Sequence, residues 1–235
     1  MSEWWTYTLG DFLMFAPRTY WRLVELHNAA LWPAHLAMGL AGAAAAAAPW
    51  MRRAVPVAAL VLAAAWITVG WEFHARRYAQ VNWAAEAFAV AFIAEGVLWL
   101  LAAAWGLRAS APGPLPTALR RHAALAAWLF ALVGYPLLGA LAGRPWTQTE
   151  LFGIVPDPTV MATLGVLVGA PAAMPRMLRF ALWVVPVGWC AVGGATLLAM
   201  NEPTWPLLPL AGALAVMFAL LRRDQFSGTN TQSSR

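Results

Sequence analysis

The chain has 235 residues, 62% of them hydrophobic and only 11% charged, with a formal net charge of +5. Soluble domains carry roughly a quarter of their residues as charges, and several spans of about 20 apolar residues each account for this composition where a soluble core does not. The basic residues are all Arg, which in an apolar chain points to cytoplasmic loops of a membrane protein and not to nucleic acid.

The N-terminus lacks a basic n-region and has no small-residue cleavage site after an apolar run, so no signal peptide is expected and insertion depends on internal spans. An N-terminal arm follows. Pro17 suits a first helical position, and Arg18, Arg22, Glu25, Asn28, Trp32 and His35 form one polar stripe at helical spacing. Arg22 can pair with Glu25, and Pro33 is expected to kink the chain close to His35.

Seven apolar stretches then qualify as spans, at about 26–49, 54–73, 83–106, 122–142, 158–174, 178–199 and 203–221. The expected fold is an all-α integral membrane bundle in one domain (1–221), followed by a polar, disordered cytoplasmic tail (222–235). With the N-terminus outside, Arg52, Arg53, Arg108, Arg120, Arg121, Arg176, Arg179, Arg222, Arg223 and Arg235 fall inside. Arg18, Arg22, Arg76, Arg77 and Arg144 fall outside, and that bias sets the N-out, C-in orientation. Most acids fall on the outer side, so the polar chemistry is expected there.

The second and third stretches enclose a polar segment. Glu72, His74, Arg76, Arg77, Asn82 and Glu86 read as an outer polar cluster held by ion pairs. Within the third stretch stands Glu95, with apolar residues on both sides and no basic residue within a turn. A charge at that depth costs several kcal/mol, so Glu95 should be paired, protonated or beside water. Its depth matches that of His35, and a His–Glu pair at the midplane reads as a proton relay, a metal ligand set or a buried neutral hydrogen bond, with Glu25, Asn28 and Glu86 nearer the mouth of a binding site. Glu86 and Glu95 are nine positions apart and point to opposite helix faces.

Gly139-x-x-x-Gly143 and Gly165-x-x-x-Gly169 are expected to seat helix contacts. Between them lies an outer loop with Phe152, Gly153, Pro156, Asp157 and Pro158, where the prolines stiffen the approach to the fifth stretch and Asp157 can cap it. Of the fifteen Trp, Trp4, Trp5, Trp21, Trp71, Trp83, Trp146 and Trp205 are expected at the outer interface. Trp50 and Trp105 fall at the inner one. Trp32, Trp99, Trp128 and Trp189 lie deeper and need partners for their indole N–H groups. The single cysteine, Cys190, reads as packing and excludes an intrachain disulfide or a CxxC site.

No phosphate loop, HExxH or nucleophile elbow is present. A bis-histidine haem site needs a second deep histidine beside His35, whereas His27 and His74 lie towards the outer surface and His122 towards the inner one. No cofactor and no metal set is expected. The polar features fit a small permease with an outer vestibule (Glu25, Asn28, Glu72, Arg76, Arg77, Glu86) that takes a small polar solute, an ion or a proton. The alternatives are a scaffold for partner membrane proteins and a metal-handling protein or enzyme built on His27 and His35.

Several segments carry a family resemblance: Ser-Glu-Trp-Trp-Thr-Tyr at 2–7, Asp-Phe-Leu-Met-Phe-Ala-Pro-Arg-Thr-Tyr at 11–20, Glu-Leu-His-Asn-Ala-Ala-Leu-Trp-Pro at 25–33, Arg-Arg-Tyr-Ala-Gln-Val-Asn-Trp-Ala at 76–84, Phe-Gly-Ile-Val-Pro-Asp-Pro-Thr at 152–159 and Val-Gly-Trp-Cys-Ala-Val-Gly-Gly at 187–194. Together they resemble the bacterial polytopic membrane proteins of domain of unknown function 6064, from residue 2 to about 215. The resemblance implies a multi-pass protein of the bacterial cytoplasmic membrane, of a kind sometimes labelled a transporter permease. Family members commonly place Cys between the two loop prolines, where this chain has Asp157, so no thiol chemistry is implied for that loop.

Overall fold

The computed structural model describes residues 13–46, 55–108, 117–169 and 174–227. The expectations for Trp4, Trp5, Trp50, Arg52, Arg53 and residues 228–235 lie outside them. The described chain is helical throughout, without strands, as nine α-helices: α1 Pro17–Leu31, α2 Ala34–Ala45, α3 Val55–Thr68, α4 Ala85–Arg108, α5 Ala118–Leu129, α6 Tyr135–Leu141, α7 Pro156–Gly169, α8 Arg176–Ala199 and α9 Leu207–Ser227. Helix α9 runs past residue 221, so 222–227 is helical.

Four helical runs are long and apolar enough to cross a membrane: Pro56–Gln80, Ala85–Arg108, Ala118–Leu141 and Arg176–Ala199. Ala34–Ala45 and Leu207–Leu221 are shorter apolar helices. The stretch at 26–49 is not one helix, because α1 closes at Leu31 and Trp32-Pro33 separates it from α2. A proline lacks the N–H that a continuing helix needs, and it drives the preceding residue out of the helical region; Trp32 accordingly has ψ 131°.

Two of the long runs contain π-helical turns. Val69–Ala75 prolongs α3, and Phe130–Gly134 joins α5 to α6. The second has a direct cause. Pro136 cannot donate to a carbonyl one turn back, and the chain widens just before it so that the Tyr135 N–H reaches Phe130 O.

Helix α7 lies at the centre, with every residue but Val166 buried along its fourteen positions. Its glycines allow this. A methyl on Gly165 would lie 2.9 Å from Ala124 O, and one on Gly169 would lie 2.7 Å from the Ala124 side chain, so this pair seats α5 as the spacing predicts. Gly139 and Gly143 do not serve that purpose: Gly143 ends α6 at φ 79°, and Gly139 faces the Arg144 side chain. Cys190 is buried against Gly212, as packing.

Helices α3 and α4 pack through Gly70 and Gly96. At Gly96 an added methyl would stand 2.6 Å from Ile67 Cγ1 and 3.1 Å from Ala63 O. Overpacking against backbone has no soft escape, so Gly96→Ala is expected to destabilise the protein by about 1–3 kcal/mol. Gly39→Ala, where nothing lies within 4 Å, should be neutral or slightly stabilising. Thermal unfolding of both variants in detergent checks the pair, and equal melting temperatures would contradict the packing described.

Candidate functional site

One end of the bundle gathers the polar chemistry. The chain segments there are Arg76–Ala84, Ala142–Val155 and Met200–Pro206, and α1 lies across them. Its buried face is Tyr20, Trp21, Leu23, Val24 and His27. Trp21 Nε1 donates to Glu202 (2.8 Å), and His27 Nε2 bonds Ile154 O (3.0 Å). Asn28 donates to Thr147 O and Thr149 O at 3.0 and 2.8 Å. Gln148 reaches Glu25, which also pairs with Arg22 at 2.7 Å; the Arg22 guanidinium beside it, with the Gln148 amide, lowers the Glu25 carboxyl from its ordinary value. The polar stripe is thus the clamp of α1 on the loop at 144–155.

Under that clamp lies a buried charged cluster. Asp157, 3% exposed, accepts from Trp189 Nε1 (2.7 Å) and from the Tyr135 hydroxyl (3.1 Å). Glu150 pairs with Arg144 at 3.2 Å, with side-chain exposures of 4% and 10%. The Arg144 guanidinium stacks over Trp21, 3.5 Å from the ring centroid. Pairing is incomplete: Glu150 Oε1 and Arg144 Nε and Nη1 are buried without a hydrogen-bond partner. Glu150 pairs with the guanidinium, and Asp157 and Glu202 lie near enough to act on Glu150 through their charge. Burial, and then the charge of Asp157, push the Glu150 carboxyl up to about 8 against the opposing effect of Arg144.

A layer of rings lies beside this cluster. His74, in the π-helical turn after α3, is fully buried, and neither nitrogen has a hydrogen-bond partner. Its ring lies 4.4 Å from Phe92, 5.0 Å from Trp189 and 5.3 Å from Phe73, with Phe88 and Tyr78 at 5.8 and 6.0 Å. Trp189 therefore touches Asp157 with its N–H and His74 with its ring.

Glu95 is one helical turn beyond Phe92 on the same face of α4. It is 0% exposed, and both of its oxygens lack a hydrogen-bond partner. The buried indole N–H of Trp99, a turn further on, stands close enough to act on this carboxyl as a donor without closing a hydrogen bond of ordinary geometry. Other deep indoles are satisfied: Trp66 by Thr163 Oγ1 and Trp128 by Gly42 O, both at 2.8 Å.

Several sequence expectations change. His35 and Glu95 are not hydrogen-bonded to each other, since both nitrogens of one and both oxygens of the other are without partners. The His35 ring instead lies 5.9 Å from Trp32. Trp21 is buried in the cluster, whereas Trp32, Trp71, Trp83, Trp105, Trp146 and Trp205 are exposed on the surface of the described chain. Of the expected outer ion-pair cluster, Glu72–Arg76 forms at 3.0 Å, while Arg18, Arg77 and Glu86 join no ion pair among the described residues. Asn82 caps α4 through the Ala84 N–H, and His74 leaves the polar group for the ring layer. Within the loop, Phe152, Gly153, Pro156, Asp157 and Pro158 are ordered as a turn into α7: Gly153 has φ 73°, and its N–H bonds Thr159 Oγ1 at 2.9 Å. Phe152 packs on Trp128, and both prolines are buried. Composition alone did not reveal Arg144, Glu150, Glu202, Tyr20 and Tyr135 as one site. Among the described residues no group of three or more His, Cys, Asp or Glu is placed to hold a metal ion.

A family model described as "Family of unknown function (DUF6064)" matches residues 18–230. The chain belongs to this family. The match spans the clamp, the charged cluster, the ring layer and Glu95, so all of them lie within the family domain. No curated protein and no solved structure matches the chain.

The raised Glu150 carboxyl fixes a pH dependence. A carboxyl that binds its proton more tightly folded than unfolded contributes stability that is complete below its ordinary value of 4.5 and is lost as pH rises through about 8. Wild-type protein in detergent should therefore lose thermal stability, on the order of a few kcal/mol, between those limits. In Glu150→Gln that loss should be smaller, as read by a melting series against pH, because Asp157, coupled to Glu150 and also raised by burial, keeps a share of it. Parallel curves for the two proteins would remove Glu150 as the group responsible.

Proposed function

We propose that this chain is a small proton-linked permease of a bacterial cytoplasmic membrane. Its seven apolar segments form the bundle, and the clamped end faces outward. The charged cluster under the loop is the mouth, Glu95 is the protonatable site within the bilayer, and the ring layer around His74 is the barrier between them. The observation that carries this reading is Glu95: fully buried inside an apolar helix, with no basic residue within a turn and the Trp99 indole N–H as its nearby donor. A carboxylate at that depth costs several kcal/mol, and such residues generally face a water path or a substrate.

The orientation is supported by the arginine bias, with Arg120 bonding Val168 O and Phe218 O at the opposite end of the bundle. His35 has no part in this proposal, because it lies half-buried on the peripheral α2.

The test is carboxyl-stretch infrared spectroscopy of the protein in lipid. Wild type should show a protonated-carboxyl band that is absent in Glu95→Gln, that titrates with pH and that shifts within minutes in D2O. A Glu95 band that neither titrates nor exchanges over hours would mark a sealed structural group and overturn the permease reading.

A further inference from the structure

The Arg144 side chain occupies a site of its own shape. One face of its guanidinium is covered by Trp21, 3.5 Å from the ring centroid. Gly139 leaves it room: a methyl there would lie 3.2 Å from Nη2 and 3.4 Å from both Cζ and Nε, so any larger residue would press on the guanidinium. At its edge stands Glu150, with Asp157 and Glu202 acting on the same carboxylate through their charge. Glu202 is fixed by Trp21 Nε1, and Asp157 by Tyr135 and Trp189. An aromatic face, a glycine gap and surplus carboxylates together make a slot for a flat cation.

Arg144 fills this slot without completing it. Its Nε and Nη1 and the Glu150 Oε1 are buried and bond nothing. A permanent buried ion pair satisfies its donors and acceptors, because each one left bare costs about 1–3 kcal/mol. Arg144 also follows directly on Gly143, whose φ of 79° lets the chain turn out of α6 at low cost. Its backbone is held there through the bond from its N–H to Gly139 O at 2.9 Å. The backbone is anchored, and the side chain is the replaceable part.

We propose that this slot is a binding site for a small solute bearing a guanidinium or amidinium group, and that Arg144 is its tethered occupant. An incoming planar cation takes the Trp21 face and the Glu150 carboxylate while Arg144 swings outward, and the charge of the cluster is unchanged. The slot is covered by Trp21 of α1 and lies against the loop that carries Arg144 and Glu150, and its size is that of the one guanidinium it holds. This rests on the permease reading only for the solute's later passage, since binding in the slot involves neither Glu95 nor flux.

The test uses the full-length protein in nanodiscs with methylguanidinium as probe and tetramethylammonium as control, each at millimolar concentration. In wild type, methylguanidinium should raise amide hydrogen exchange across residues 143–150 at least about threefold by displacing Arg144, and tetramethylammonium should not. Glu150→Gln should lose the response. In Arg144→Ala, methylguanidinium should restore several degrees of the lost melting temperature. Unchanged exchange in wild type, or equal effects of the two cations, would show Arg144 to be a permanent structural group and overturn the proposal, even where Arg144→Ala fails to fold. A positive result with a sealed Glu95 in the infrared test would leave the slot standing and remove only transport.

Discussion

Asp157 is the point on which the clamped end depends. It enters at the second residue of α7, between two buried prolines, where the free N–H groups of a helix start favour a negative charge. Each oxygen is then taken by a different element, one by Tyr135 at the start of α6 and one by Trp189 in α8. One carboxylate thereby ties three helices together at a buried position. Burial, and after it the charge of Asp157, raises Glu150, and Glu150 in turn pairs with the Arg144 that lies on Trp21. Removing Asp157 would leave two orphaned donors and unlink α8 from α6 in one step. Helix α7 is buried on nearly every face, and Thr163, which accepts from Trp66, and the Gly165 and Gly169 seat for α5 fix its rotation further along.

The two acidic sites of the molecule meet the cost of burial differently. At the clamped end Glu150 pairs with a guanidinium, and burial raises the proton affinity of both Glu150 and Asp157, which titrate as a coupled pair. Glu95 has no such neighbour. Between them the rings of Trp189, His74 and Phe92 are in contact, and Phe92 continues to Trp66 at 4.4 Å. Aromatic rings fill this space without offering a continuous row of hydrogen bonds, so a charge cannot cross it while the rings stay packed. The imidazole of His74 stands within the layer with both nitrogens bare.

How much of this was legible in the sequence follows the range of each interaction. Glu95 stands out because its surroundings along the helix are enough to expose it, and its burial on the face opposite Glu86 follows from a spacing of nine. Glu72–Arg76 and Arg22–Glu25 are neighbours on their own helices and were equally readable. The break at Trp32-Pro33 was only half visible, since a proline can either kink a helix or end it. The charged cluster was hidden for a plain reason: Trp21 and Glu202 are 181 residues apart, and nothing local to either announces the other. His74 is an intermediate case. Trp66, Gly70 and His74 recur at four-residue spacing, a buried stripe in hindsight, but the two arginines that follow draw His74 into the wrong group.

The contrast between Arg144 and the cluster's other charged groups also decides what kind of change this end of the protein can undergo. Asp157 cannot move without freeing two donors, and Glu202 is held by an indole on a different helix. Glu150 and Arg144 each hold one recorded hydrogen bond to the other, with three further buried atoms unspent. Motion will therefore begin where least is lost, at the arginine, whose long stem gives the head group reach while its backbone stays bonded to Gly139. When that head group leaves, the negative charge of the cluster is uncovered all at once, and a proton or another cation must arrive with it. Opening of the clamped end is thus coupled to charge by the arithmetic of three acids and one base, before any particular solute is considered.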